Sequence, residues 1–279
     1  MTWQDAPEPQ FERLSGMERV RAGLRAIPLV ALFALGAVVL LGLRLIERPL
    51  FGVYRPVTPY VSRAVFRTAL VVLGIRFHRH GRPMAQPGGV VSNHASWLDI
   101  VAHNAAQPVY FVSKAEVGRW PVIGPLARAV GTVFIRRDPR DAAAQKQQFE
   151  ARLKAGHRLL FFPEGTSSDG LQVLPFKSTL FAAFFSDDLR DISHIQPMSV
   201  HYTAPGGQEP QFYGWWGEME FGPHLLRVLA ARRQGRIDVM FHPALKVSDF
   251  EDRKALGQAA EQAVRAGHAR LSAEVQSGS

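Results

Sequence analysis

The 279-residue sequence contains no cysteine. This absence excludes disulfide-stapled folds, zinc sites with thiolate ligands, iron–sulfur clusters and cysteine nucleophiles. Lysine is scarce as well, because only six of the 33 basic residues are lysines and the other 27 are arginines. Acidic residues number 24, which leaves a formal charge of +9 and a pI near 10.3. Such an excess favours an anionic partner, which is a nucleic acid, a phospholipid surface or a phosphorylated substrate.

A long apolar run near the beginning of the chain decides among these partners. Residues 26–43 carry no charge and lie between Arg25 and Arg44, which makes the run just long enough to cross a bilayer. A second, shorter apolar stretch at residues 64–75 contains Arg67, as expected of an interfacial or half-inserted helix. Because basic residues flank the first run on both sides, we expect a helical hairpin that enters and leaves the membrane from the cytoplasmic side. A buried core helix is the alternative.

From about residue 86 the pattern changes to short β-branched or aromatic runs that alternate with helical stretches. This alternation predicts an α/β domain with a central mixed sheet flanked by helices. We therefore expect a membrane-associated helical segment at residues 1–80 and a second domain at residues 81–279. The predicted strands are 89–92, 109–113, 132–136, 158–162, 195–202 and 236–241. The predicted helices are 97–106, 142–155, 176–185 and a last one up to about residue 275, opened by a capping box of Ser248 and Glu251.

The most informative segment is residues 92–99, where a predicted strand gives way to a predicted helix. His94 on the connecting turn and Asp99 in the first helical turn are spaced so that the carboxylate can reach the imidazole. A carboxylate that holds one ring nitrogen fixes the tautomer and leaves the other nitrogen as a general base. In the alternative, Asp99 forms a capping box with Ser96 and His94 is an ordinary loop residue.

Two other strand ends carry groups that suit an anion. Residues 162–170 follow an apolar strand and turn abruptly into glycine, threonine and serine. Such a turn presents backbone N–H groups and hydroxyls, although an ordinary surface turn has the same composition. The strand within residues 131–138 ends in Arg136 and Arg137, which either face a phosphate or are solvated.

In this order, the segments resemble the four sequence blocks of the glycerolipid acyltransferase family, which includes bacterial 1-acylglycerol-3-phosphate acyltransferases. The resemblance covers roughly residues 85–205. The matching positions are Asn93, His94 and Asp99 in the first block, Gly131, Phe134, Ile135 and Arg137 in the second, residues 162–166 in the third and residues 195–198 in the fourth. Lys114 and Glu116 resemble a Lys-x-Glu pair that the family often carries between its first two blocks.

The resemblance implies direct transfer of a fatty acyl chain from acyl-CoA or acyl carrier protein to a lysolipid hydroxyl. The first acceptor it implies is 1-acyl-sn-glycerol-3-phosphate, with no cofactor and no metal. His94 would be the general base, Asp99 would stabilise the imidazolium, and Lys114 is the candidate for holding the oxyanion. The residues implied to bind substrate are Asn93, Arg137, Glu164, Gly165 and Thr166. The acyltransferase domain, residues 81–279, would lie on the cytoplasmic side of the cytoplasmic membrane.

One position departs from the family's pattern. Ser167 follows the Glu-Gly-Thr sequence where many phosphatidate-forming members have an arginine. The missing cation weakens the prediction of a phosphate-bearing acceptor, although Arg136, Arg137 and Lys177 still supply positive charge. This variant resembles the branch that includes lyso-ornithine lipid acyltransferases, whose acceptor carries an amino acid head group.

Other classes of function lack their signatures. A serine hydrolase normally carries a Gly-x-Ser-x-Gly elbow, which is absent and leaves Ser96 and Ser167 unsupported as nucleophiles. His78 and His80 share a strand face without an evident third ligand, so we expect no metal there. Nucleic-acid binding is not expected, since no recognised module is present. A non-catalytic basic membrane-binding module remains as a rival, and it would not need His94.

Overall fold

The computed structural model describes residues 3–119, 123–135 and 142–277, and an eight-stranded mixed sheet lies at its centre. The strands are β1 Arg76–His80, β2 Gly88–Ser92, β3 Tyr110–Lys114, β4 Val133–Ile135, β5 Arg158–Phe161, β6 His194–Thr203, β7 Arg236–Phe241 and β8 Leu245–Lys246. Their order is β1-β7-β6-β2-β5-β3-β4, with β8 beside the start of β6. The strands from β6 to β4 are parallel, whereas β7 runs antiparallel to β6. The predicted fold class is confirmed.

The parallel strands in the middle of the sheet are apolar on both faces. All five residues of β2 are buried, and Val90 of β2 lies level with Leu160 of β5 on one side and Gln196 of β6 on the other. Helices cover both faces of such a sheet, so near-continuous apolar sequence is what these strands require. Because the three strands are parallel, their carboxyl ends meet at one edge.

Helices surround this sheet, largely where they were predicted. They are α1 Gly16–Phe51, α2 Thr58–Leu73, α3 Leu98–Ala106, α4 Ile123–Val130, α5 Ala142–Lys154, α6 Phe221–Ala230 and α7 Arg253–Ser277. The stretch predicted as a helix at 176–185 is a 3-10 helix, Ser178–Phe185. The capping box predicted for Ser248 and Glu251 is wrong, because residues 247–249 form a 3-10 turn. Asp252 caps α7 instead, since its Oδ1 accepts the N–H groups of Lys254 and Ala255 at 2.8 Å each.

The first two helices form the pair predicted from the two apolar stretches. Their contact is close at Gly36, where an added Cβ would lie 2.9 Å from Cγ2 of Val65. At the connecting turn the buried Glu47 carboxylate accepts the N–H groups of Val57 and Thr58 at 2.7 and 3.0 Å. These two N–H groups lie at the beginning of α2, where no preceding turn supplies a carbonyl, so a residue of α1 caps the neighbouring helix.

Helix α1 is long and apolar enough to cross a membrane, and only 17% of its most apolar stretch is buried in the protein. That exposure suits a membrane-associated helix and not the alternative of a core helix. At its beginning, Arg21 and Arg25 donate to the carbonyls of residues 229–231, at the end of α6. The segment predicted as membrane-associated also supplies β1, which pairs with β7 in the sheet.

Candidate active site

Three chain segments meet at the carboxyl edge of the sheet. The turn after β2 carries His94, the turn after β5 carries Glu164, Gly165 and Thr166, and β6 ends near Tyr202. The two turns are joined by their backbones, because the N–H of Ser168 donates to the carbonyl of His94 at 2.9 Å. Ligands of open α/β sheets bind outside the carboxyl ends of the strands. The first and third sequence blocks therefore converge where a site is expected.

His94 and Asp99 are in direct contact, as their spacing predicted. His94 Nδ1 lies 2.6 Å from Asp99 Oδ2, and the Asp99 side chain is fully buried. The same oxygen accepts the N–H groups of Ala95 and Ser96 at 2.8 and 3.0 Å. Asp99 thus binds the imidazole and also satisfies backbone donors just before α3. The capping box expected in the alternative is not formed, because the Ser96 hydroxyl accepts the N–H of Leu98 and not that of Asp99.

The other Asp99 oxygen, Oδ1, accepts the hydroxyl of Tyr202 at 2.5 Å. Burial by itself raises the pKa of Asp99, but the hydrogen bonds from His94 and from the Tyr202 hydroxyl outweigh it and lower the pKa below its usual value. Burial and the Asp99 charge raise the pKa of Tyr202 well above its usual range. Asp99 is therefore an ionised carboxylate that faces the imidazole of His94 and the neutral phenol of Tyr202.

The His94 ring is held by stacking and remains accessible. It lies 4.1 Å from the Phe162 ring at an interplanar angle of 10°, while 21% of the His94 side chain is exposed. His103, one turn further along α3, donates from Nδ1 to the carbonyl of Asp99 at 2.7 Å. Burial lowers the pKa of His103, which keeps its ring neutral beneath the site.

Glu164 lies beneath the turn that carries His94 and is almost completely buried. Its Oε1 accepts the N–H of His94 at 3.3 Å, whereas its Oε2 is buried and has no hydrogen-bond partner among the described residues. Burial, helped by the Asp99 charge and opposed by the N–H of His94, raises the pKa of Glu164 to about 9. Glu164 is therefore a neutral carboxylic acid at pH 7.

Gly165 and Thr166 end the third block and are half-buried. Gly165 has φ = +74°, and an added Cβ would lie 2.7 Å from Nζ of Lys177. Only glycine adopts this conformation readily and also leaves room for the ammonium group against the turn. Lys177 therefore places a positive charge beside the turn in which Ser167 replaces the family's arginine.

Three predicted site residues remain, and the structure describes the side chain of only one of them, Asn93. The amide of Asn93 is buried and bonds both the N–H and the carbonyl of Val200 at 2.9 Å, so it ties the turn that carries His94 to β6. Lys114 ends β3 at the same carboxyl edge, but its side chain is outside the described part of the chain. Arg137 also lies outside the described residues.

Sequence reasoning missed Tyr202 and His103, which support Asp99 from two sides. Tyr202 is 103 positions away from Asp99 and becomes a neighbour only because β6 lies beside β2. His103 gives a local signal, since it follows Asp99 by four residues and lies one helical turn further on. Among the described residues, no group of three or more His, Asp or Glu is arranged to hold a metal. His78 and His80 instead lie 3.6 and 2.9 Å from Asp238.

The fold of this chain is found in a known acyltransferase. The family model described as Acyltransferase matches residues 74–200. The crystal structure of the 1-acyl-sn-glycerophosphate acyltransferase PlsC from Thermotoga maritima is similar in fold, with a TM-score of 0.58 and 19% sequence identity. That similarity covers 89% of this chain and 98% of the Thermotoga chain.

Sequence comparison gives closer relatives. The chain is 55% identical to the lyso-ornithine lipid O-acyltransferase of Rhodobacter capsulatus, over 94% of this chain and 95% of that protein. It is 32% identical to the 1-acyl-sn-glycerol-3-phosphate acyltransferase of Neisseria gonorrhoeae, over 67% of this chain and 72% of that protein. The chain therefore belongs to the acyltransferase family.

Proposed function

We propose that this acyltransferase moves a fatty acyl chain from a thioester donor to the free hydroxyl of a lysolipid. The donor is acyl-CoA or acyl carrier protein, and the enzyme needs no further cofactor. The observation that carries the proposal is the contact of 2.6 Å between His94 Nδ1 and the buried Asp99 carboxylate, with the His94 ring still accessible. A non-catalytic membrane-binding module has no need of such a pair.

The geometry supports a general-base mechanism. An ionised carboxylate only accepts hydrogen bonds, so Nδ1 of His94 carries the proton and Nε2 has a free lone pair. Nε2 takes the proton of the lysolipid hydroxyl while the oxygen attacks the thioester carbonyl, and Asp99 stabilises the imidazolium that forms. When the tetrahedral intermediate collapses, the carbon–sulfur bond breaks and the thiolate leaves with the proton from Nε2. The products are a diacyl lipid and a free thiol.

Other residues of the site complete this mechanism. We assign the oxyanion to Lys114, whose backbone ends β3 at the carboxyl edge. Arg137 and the partly exposed Gly165 and Thr166 bind the acceptor head group. Asn93 and Glu164 position the backbone of the site, because their side chains are buried. Asn93 contacts the backbone of Val200, and Glu164 contacts the backbone of His94.

The acceptor we propose first is lyso-ornithine lipid. The relative that shares 55% of its residues over almost the whole chain carries that name, and Ser167 leaves the third block without the arginine expected for a phosphate. The second candidate is 1-acyl-sn-glycerol-3-phosphate. The Neisseria relative and the Lys177 ammonium beside Gly165 favour it.

The positive charge and the exposed α1 support a site that takes its lysolipid from a membrane. We place the catalytic domain on the cytoplasmic side, where acyl-CoA and acyl carrier protein are available. The lysolipid then reaches His94 with its acyl chain still in the lipid.

The decisive experiment is a transfer assay with labelled acyl-CoA and acyl carrier protein, each offered with lyso-ornithine lipid or 1-acyl-sn-glycerol-3-phosphate. The wild type is compared with His94→Ala and with His78→Ala, a matched control whose side chain is half exposed on β1. We expect diacyl product from the wild type and the control, and a loss of about 10²-fold or more in His94→Ala.

Each outcome of this assay has a definite meaning. Product with only one acceptor assigns the head group, and labelled free fatty acid in place of diacyl lipid indicates a hydrolase. Equal activity of His94→Ala and the wild type would exclude His94 as the general base. An inactive wild type with every donor and acceptor would favour the membrane-binding module.

A further inference from the structure

An extended segment before α1 lies beside the acceptor end of the site. We call residues 3–15 the strap, since they form neither helix nor strand and end at Ser15, the N-cap of α1. The strap begins at the third block, where the backbone N–H of Trp3 donates to Oγ1 of Thr166 at 3.3 Å. No sequence motif pointed to this contact, because the two residues are 163 positions apart.

The strap is fixed to the protein along its length. The Trp3 ring meets the Trp216 ring edge-on at 6.2 Å, and the indole N–H of Trp216 donates to the carbonyl of Ala6 at 3.3 Å. Glu8 accepts the N–H of Glu218 at 2.6 Å. The segment that holds the strap is bonded in turn to the residue after His94, because the N–H of Trp215 donates to the carbonyl of Ala95 at 2.8 Å.

Trp3 does not belong to the main hydrophobic core. It forms a separate small cluster with Trp216 and Met219, whereas two larger clusters fill the space on the sheet. Any aromatic ring would pack against Trp216 in this way. A tryptophan adds an indole N–H, which here is buried and has no hydrogen-bond partner among the described residues, while Trp3 as a whole is 9% exposed. An unpaired buried donor is costly, so the free indole N–H of a residue whose backbone is bonded to Thr166 indicates a bound group that accepts from it.

The charges around the turn indicate the nature of that group. Lys177 Nζ lies against Gly165, so an oxygen anion at the turn would meet a positive charge beside Thr166, the residue to which the Trp3 backbone is bonded. Both candidate acceptors present such an anion, as the carboxylate of ornithine or as a phosphate. We propose that the strap forms one wall of the acceptor head-group site and that the indole N–H of Trp3 donates to an oxygen anion of the bound lysolipid.

This inference rests on the proposed function, and its test separates the two. Trp3→Phe keeps an aromatic ring on Trp216 and removes only the N–H, so it should fold. Phe11→Leu is the matched control, because Phe11 lies on the same strap and contacts His224 instead of the third block. In transfer assays with each lysolipid, we expect Trp3→Phe to raise the acceptor KM roughly tenfold and to leave kcat and the donor KM unchanged. Phe11→Leu should leave all three values near those of the wild type.

A binding measurement decides the proposal even if no transfer is seen. Labelled lyso-ornithine lipid and 1-acyl-sn-glycerol-3-phosphate are bound in mixed micelles to His94→Ala and to His94→Ala/Trp3→Phe. We expect a roughly tenfold higher Kd in the double variant for the lipid that is the acceptor. In ¹H–¹⁵N spectra, the indole signal that is missing from Trp3→Phe should shift when this lipid is added. If the two variants had equal Kd values for each lipid, or if the Trp3 signal did not move, the proposal would be overturned and the strap would be a purely structural element.

Discussion

The Asp99 carboxylate accepts four hydrogen bonds although its side chain is fully buried. Two of the donors are backbone N–H groups of its own turn, and the other two are the His94 ring and the Tyr202 hydroxyl. This arrangement fixes both the ring orientation and the tautomer of His94, because the carboxylate has no freedom to rotate. The negative charge is thus retained in a site where burial alone would remove it.

The catalytic importance of that charge is tested with Asp99→Asn. The amide has the same shape, but it does not stabilise the imidazolium that forms when His94 takes the proton. We expect kcat for acyl transfer to fall by about 10²–10⁴-fold. Asp252→Asn serves as the control, because asparagine caps a helix as well as aspartate does. A folded Asp99→Asn enzyme that keeps more than about a tenth of the wild-type rate would contradict the assigned role.

Glu164 makes the stability of the protein depend on pH. Burial raises its pKa to about 9, so the folded protein holds a proton that the unfolded chain releases above about pH 4.5. The unfolded state therefore binds fewer protons across this range, and the free energy of unfolding falls as the pH rises towards 9. Glu164→Gln keeps a neutral side chain of the same size and removes this dependence.

The prediction for Glu164 is quantitative. Between pH 7 and pH 8.5, the wild type should lose about 2 kcal/mol more of its unfolding free energy than Glu164→Gln, since a full proton difference contributes about 1.4 kcal/mol per pH unit. Urea unfolding of both proteins at several pH values in one detergent measures the difference. Parallel curves for the two proteins would mean that Glu164 is ionised when folded.

The parts of the site that were predicted from sequence are the local ones. His94 and Asp99 lie on one strand–turn–helix unit, so their spacing alone indicated the contact. Tyr202 and Trp3 are brought in by strand pairing and by the strap, and no periodicity in a single sequence reports such distant neighbours. Lys177 was identified as a source of charge, but its position against Gly165 depends on the backbone of the turn.

At the scale of whole elements, strong patterns were predictable and weak ones were not. The six predicted strands are all present, because buried parallel strands read as continuous apolar runs. β1 escaped prediction as part of the sheet, since Arg76–His80 is polar and lies at the sheet edge beside β7. The beginning of α7 was misplaced because Asp252, Ser248 and Glu251 all have the chemistry of a helix start, and only the fold selects among them.

The close contact between α1 and α2 depends on a glycine. An added Cβ at Gly36 would lie 2.9 Å from Val65, whereas one at Gly42 of the same helix would meet nothing within 4 Å. Gly36→Leu should therefore force the two helices apart and destabilise the protein by about 1–3 kcal/mol. Gly42→Leu should have no such effect, because it adds only a side chain with good helix propensity.

Thermal unfolding in detergent and limited proteolysis at the turn between α1 and α2 measure the outcome. A lower Tm and faster cleavage are expected for Gly36→Leu only. Equal behaviour of the two leucine variants would show that the helices do not pack at Gly36 in solution.

On the scale of the whole molecule, hydrogen bonds join the apolar helix α1 to the part of the chain that carries the His94 site. Arg25 donates at 2.6 Å to the carbonyls of Leu229 and Ala231, so the beginning of α1 is bonded directly to the catalytic domain. The strap leads from that same point back to Thr166. We therefore expect a lysolipid in a bilayer around α1 to be presented to the site in one position, and we expect efficient turnover to require binding to the membrane.

This dependence is tested by placing charges on the exposed face of α1. Leu35 and Val38 are 64% and 68% exposed, so Leu35→Glu/Val38→Glu leaves the packing intact but places two carboxylates where lipid is expected. A charge in the hydrocarbon region costs about 2.5–3.5 kcal/mol on insertion scales. Binding to sedimented vesicles should therefore fall at least about tenfold, and transfer to a lysolipid in those vesicles should fall with it.

The control variant Leu171→Glu/Ile192→Glu alters two exposed apolar residues outside the helix pair and should change neither vesicle binding nor transfer. If the α1 variant still bound vesicles as the wild type does, the lipid-facing surface would have to lie elsewhere, and the link between the strap, α1 and acceptor entry would fail.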